Sequence, residues 1–170
     1  DNCLVVTTKR YNQDYYISLY GGDQGTGSII RNSVVDRFGG DSHTGHGISL
    51  KTGDFSKQLK ENLIENCTVR GMKKSLEARH FYCDKNVYRN ITIERGRERN
   101  KANVGGIAIM NGASYNIFEN ITVKDVRNAV LILSNKETPK APHAGTGNVF
   151  KNCVFEGVDK VIDSKKDETG

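Results

Sequence analysis

Two cations set one repeat apart, Lys51 and Arg79, with the carboxyl of Glu77 beside them, are the residues of this 170-residue chain best suited to chemistry. Each closes a short segment of alternating apolar residues, Ile48-Ser-Leu-Lys51 and Leu76-Glu-Ala-Arg79. In an extended segment alternate side chains share a face, so Ser49 and Lys51 point one way, as do Glu77 and Arg79. Three of the four histidines lie close by: His43 and His46 in the Gly-rich stretch 39–47, and His80 directly after Arg79. Histidine titrates near neutral pH and is the usual proton carrier. β-Elimination from a uronate needs a base, a cation on the carboxylate and an acid for the leaving oxygen. Hydrolysis needs two carboxylates flanking the bond, and the partners on offer for Glu77, Asp41 or Asp23, sit at spacings the sequence does not fix. Elimination or epimerisation is therefore favoured. Lys51, Arg79, Glu77, His46 and His80 are the candidate catalytic residues. Candidate substrate-binding residues are His43, Ser49, Tyr20 and the basic run Arg95, Arg97, Arg99 and Lys101, which could hold carboxylates, sulfates or phosphates. The plainer reading of the same side chains is a solvated charge ladder of small energetic weight.

The elements that must position these groups repeat. An Asn-centred phrase returns at intervals of about thirty residues: Ile-Ile-Arg-Asn32-Ser-Val-Val, Leu-Ile-Glu-Asn66-Cys-Thr-Val, Val-Tyr-Arg-Asn90-Ile-Thr-Ile, Ile-Phe-Glu-Asn120-Ile-Thr-Val and Val-Phe-Lys-Asn152-Cys-Val-Phe, with Asn2 opening a shortened first copy. Self-similarity at a fixed period means stacked units, here strand, Asn turn, strand, loop, strand. The expected fold is all-β, a right-handed parallel β-helix of about six coils, forming one domain over 1–170 with 163–170 as a frayed tail. Val35, Val69, Ile93 and Val123 should stack inside. A second strand in each coil gives two outward columns: Ser18, Ser49, Glu77, Ala108, Leu131 and Ile162; and Tyr20, Lys51, Arg79, Met110, Leu133 and Ser164. Long connections in the first, second and fourth coils would wall a notch over Glu77 and Arg79. The abrupt first coil and the missing cap suggest a fragment or one domain of a longer solenoid.

A net charge of +5 suits a polyanionic partner, an acidic polysaccharide or a nucleic acid. The second is disfavoured by the lack of an aromatic-basic recognition motif. No apolar run is long enough to cross a membrane. Cys3, Cys67 and Cys153 share one inward column, with the first two roughly 9 to 10 Å apart along the axis, so the four cysteines are expected to be free thiols and no metal site is expected. The sequons at Asn66, Asn90 and Asn120 fall in the repeated turn and read as structural. The outward apolar strip of Ala108, Met110, Leu131 and Leu133 calls for cover by a further subunit, as in a trimer, or by a missing segment.

Ile48-Ser-Leu-Lys51-Thr, followed one coil later by Ser75-Leu-Glu-Ala-Arg79-His80, resembles paired strands of the β-helical polysaccharide lyases typified by alginate lyases and chondroitinase B, within the wider pectin-lyase-like β-helices that include phage tailspikes and C5-epimerases. The resemblance implies Lys51 as Brønsted base and Arg79 as the acid-side catalyst. It also implies a calcium ion held by acidic residues shortly before the lysine, but this chain offers His43, Thr44, His46 and Ser49 there, so no cofactor is expected. The expected function is an extracellular, cell-surface or virion-surface enzyme that depolymerises an acidic polysaccharide. The alternative is a non-catalytic glycan-binding or structural segment of a tailspike or adhesin.

Overall fold

A computed structural model of the chain describes residues 1–7, 15–21, 25–37, 45–52, 57–79, 83–96, 104–135 and 145–167. They form a parallel β-helix without helices. One sheet stacks Leu4–Thr7, Val34–Arg37, Leu63–Arg70, Val87–Glu94, Ile117–Lys124 and Val149–Lys151, with Ile29–Arg31 and Val154–Glu156 completing the second and sixth rungs. The second sheet stacks Tyr15–Gly21, His46–Thr52, Lys74–Arg79, Gly105–Met110, Asn128–Asn135 and Lys160–Asp167. Only the inner four rungs of each sheet have neighbours on both sides, so the solenoid amounts to about four turns rather than about six.

The repeated Asn is a backbone device. Asn2, Asn32, Asn66, Asn90, Asn120 and Asn152 all take φ between 50° and 57°, the left-handed region that Asn tolerates better than other side-chain-bearing residues. One such residue bends each rung of the first sheet into two faces. The amides then bond up the stack: Asn66 Nδ2 donates to Asn32 Oδ1 at 3.3 Å, Asn90 to Asn66 at 3.1 Å and Asn120 to Asn90 at 3.0 Å. This ladder is exposed, which leaves buried polar groups to a second one. Four residues before the bends at Asn66, Asn90, Asn120 and Asn152 stand Asn62, Asn86, Asn116 and Asn148. Asn86 Oδ1 accepts from the backbone and side-chain nitrogens of Asn62 at 3.0 and 2.9 Å, and Asn116 Oδ1 does the same for Asn86 at 3.0 and 3.1 Å. The remaining amide hydrogens reach the carbonyls of Lys60, Leu59, Cys83 and Ala113.

The interior is aliphatic. Val35, Val69, Ile93 and Val123 stack there as expected, each fully buried. Tyr88, Phe118 and Phe150 form an aromatic column with centroids 4.7 and 4.9 Å apart. Outside, two columns alternate in sign on either side of the Asn ladder. One reads Arg31, Glu65, Arg89, Glu119, Lys151; the other reads Asp36, Arg70, Glu94, Lys124, Glu156. Arg70 bonds Glu94 and lies 3.4 Å from Asp36, while Lys124 reaches Glu156 at 2.9 Å. A slip by one coil would set like charges opposite one another, so these columns help to fix the stacking partner of each rung. Arg70→Glu should cost about 1 kcal/mol in urea unfolding, since it faces Asp36 and Glu94, and the loss should shrink in high salt.

The outward columns of the second sheet align as expected through five rungs, Ser18 to Leu131 and Tyr20 to Leu133. The sixth is displaced: Asp163, not Ile162, lies opposite Leu131, and Lys165, not Ser164, opposite Leu133. A one-residue slip exchanges faces, and this one moves a carboxylate off the inward side, where Lys160 Nζ meets Asp163 at 3.1 Å. The strand continues through Asp167, into the tail expected to fray. Ala108, Met110, Leu131 and Leu133 form a buried cluster, each no more than 1% exposed. All four cysteines are free, with Cys67 and Cys83 buried. Burial pushes both thiols up. Thiol titration should therefore find four groups after denaturation without reductant, with Cys67 and Cys83 unreactive in the native protein.

Candidate functional site

The site lies on the outer face of the second sheet, across its second and third rungs. Gly47 allows the geometry: a Cβ there would come within 2.4 Å of Val69 Cγ1 and 2.6 Å of the Ser75 carbonyl. The rungs keep their register across this position, from His46↔Lys74 to Ile48↔Leu76, but Gly47 and Ile48 both face the core, so alternation breaks there. His46 is consequently brought onto the face carrying Ser49 and Glu77, although strict alternation from Ile48 would turn it inward.

Glu77 is the centre. Its side chain is fully buried, and Oε2 receives His46 Nδ1 at 2.6 Å and Ser49 Oγ at 2.7 Å. Oε1 makes no hydrogen bond, with Arg79 Nη1 at 3.8 Å. Burial alone would raise the Glu77 carboxyl. The hydrogen bond and charge of His46, the charge of Lys74 and the Ser49 hydroxyl outweigh it and hold the group at about 2. Glu77 is thus ionised at any working pH and is no proton donor. Because an ionised carboxylate only accepts, Nδ1 of His46 carries a hydrogen, so the ring's second protonation site is Nε2.

Lys51 stands opposite Arg79, as the columns required, and its Nζ lies 6.0 Å from the centroid of the Tyr20 ring, which is largely exposed. Lys74 is a member that sequence reasoning missed. It pairs with His46, is buried to 7% exposure, and its Nζ lies 3.4 Å from Met110 Sδ. Its only signal was the Lys73-Lys74 step just before the Glu77 segment. Arg95 is not brought to Glu77. It leaves the first sheet with φ 56°, and its Nη2 donates to Asp36 Oδ1 at 2.8 Å on the charge column. His43, His80, Arg97, Arg99 and Lys101 lie outside the described residues, as do Asp23, Asp41 and most of the long connections expected to wall the notch.

Comparison with protein families, curated proteins and solved structures finds no match to this chain. What the site can do is therefore argued from its own geometry. An ionised carboxylate orients an imidazole, and Lys51, Lys74 and Arg79 give the surrounding face a cationic excess over Glu77. Such a face can hold an anionic group and move a proton beside it.

Proposed function

We propose that the chain is a pectin-lyase-like carbohydrate-active β-helix that processes an acidic polysaccharide outside the cell, by β-elimination at a uronate. The observation that carries this reading is the pairing of Lys51 with Arg79 on neighbouring rungs beside the His46–Glu77 contact. In the elimination, the proton α to the carboxylate passes to a base. The electron pair of that C–H bond forms the new double bond, the β carbon–oxygen bond breaks, and the leaving oxygen takes up a proton. Negative charge builds on the uronate carboxylate as the proton leaves, and Arg79 and Lys51 face the position where it would lie. Tyr20 offers an exposed ring for a neighbouring sugar.

A non-catalytic glycan-binding segment is supported by one observation: Glu77 is wholly buried, as in a purely structural ion network. Incubation with a panel of acidic polysaccharides separates the readings. A lyase raises both the absorbance of unsaturated uronates and the reducing ends, a hydrolase raises reducing ends alone, and a binder raises neither.

A further inference from the structure

We propose that His46 is the base that removes the α proton, acting through Nε2, and that Glu77 is its positioning residue; this rests on the elimination reading above. Glu77 Oε2 is fixed from two sides, by Ser49 Oγ at 2.7 Å and His46 Nδ1 at 2.6 Å, and Arg79 Nη1 stands 3.8 Å from the other oxygen of the same carboxylate. One buried carboxylate thus holds a proton carrier and a carboxylate-binding cation side by side, the two groups that α-proton abstraction requires together. Lys51 is the weaker candidate for base. Its rung partner is Arg79, and its Nζ lies beside Tyr20, whereas the Glu77 carboxylate that orients a base is opposite Ser49. Arg79, always protonated, suits the clamp and not the proton transfer. The imidazole takes the α proton at Nε2 while Nδ1 keeps its hydrogen on Glu77. The resulting imidazolium is stabilised by the carboxylate and returns its proton to solvent after the product leaves.

The charged and titratable groups around His46 among the described residues are Glu77, Lys74 and Arg79 on the neighbouring rung, Lys51 on its own strand, and Arg37 and Tyr16, both near Gly45. Among these, Glu77 favours the imidazolium and the cations oppose it. A base must be unprotonated, so kcat/KM on a polyuronate should rise with pH along a limb that His46→Ala lacks. Glu77→Gln removes the favouring charge, which should move that rising limb to lower pH and lower kcat at least about tenfold. His46→Ala should lose about a hundredfold and recover part of it with added imidazole, a rescue that a structural histidine would not show. Nitrogen NMR of the ring, read without substrate, should find the hydrogen on Nδ1 in the wild type and a mixed tautomer in Glu77→Gln. Cleavage with an unmoved limb, no imidazole rescue, or a ring protonated on Nε2 alone would overturn this role and leave the elimination reading standing. Absence of unsaturated product from every polyuronate tried would overturn both.

Discussion

Arg79→Ala should lower kcat/KM on a cleavable polyuronate by about a hundredfold or more, with the circular dichroism of the fold unchanged. In the proposed elimination the guanidinium would meet the carboxylate whose charge grows as the α proton leaves, so its contribution would be larger in the transition state than in the bound ground state. Its Nη1 stands 3.8 Å from the buried Glu77 carboxylate, so the substitution should also cost stability in urea unfolding by leaving that charge less compensated. Arg79→Lys should recover part of the loss, because a point charge replaces the planar fork without its two-pronged geometry. Lys51→Ala should cost about tenfold, as a second cation on the same charge. Turnover near wild type in Arg79→Ala would place the carboxylate clamp elsewhere, with Lys74 the first residue to test.

Asn86→Ala should be the most destabilising single substitution in the turns, by roughly 3 to 5 kcal/mol in urea unfolding, since each buried polar group left without a partner costs about 1 to 3 kcal/mol. Asn86 is fully buried. Its Oδ1 serves both nitrogens of Asn62, and its Nδ2 serves the Leu59 carbonyl at 3.1 Å. Alanine supplies neither function, and no solvent reaches the site to take over. The exposed ladder offers a contrast within the same rung. Asn90→Gly should cost about 1 kcal/mol or less, because glycine accepts the left-handed backbone and water replaces the lost amide bond. Equal losses at the two positions would contradict the division of labour between the ladders.

The repeat and the inward columns were legible in the sequence because a left-handed bend selects one residue type, which recurs visibly as Asn32, Asn66, Asn90 and Asn120. The buried ladder recurs just as regularly at Asn62, Asn86, Asn116 and Asn148, but in segments that read as loops next to the apolar phrases. The charge columns were harder to see, because a search for likeness misses positions whose rule is opposition, such as Asp36 followed by Arg70 and Glu94. Alternation alone brought Lys51, Arg79, Ser49 and Glu77 onto one face. It could not reach His46 or Lys74, since side-chain alternation breaks at Gly47 and Ser75, between them and the regular part of each strand. For the last rung, alternation assigned Ile162 outward, where the slip that relieves Asp163 makes it wrong.

The most direct measurement of the site's role is the response of the His46 ring and the Arg79 guanidinium signals to a short, saturated uronate oligosaccharide added to the wild-type protein. Both should shift together and saturate at one concentration, unsaturated uronate absorbance should grow in the same sample, and signals from Arg89 and Glu65 on the first sheet should stay in place. Saturable shifts confined to the first sheet, with His46 and Arg79 unmoved and no absorbance, would contradict a uronate-eliminating site on this face.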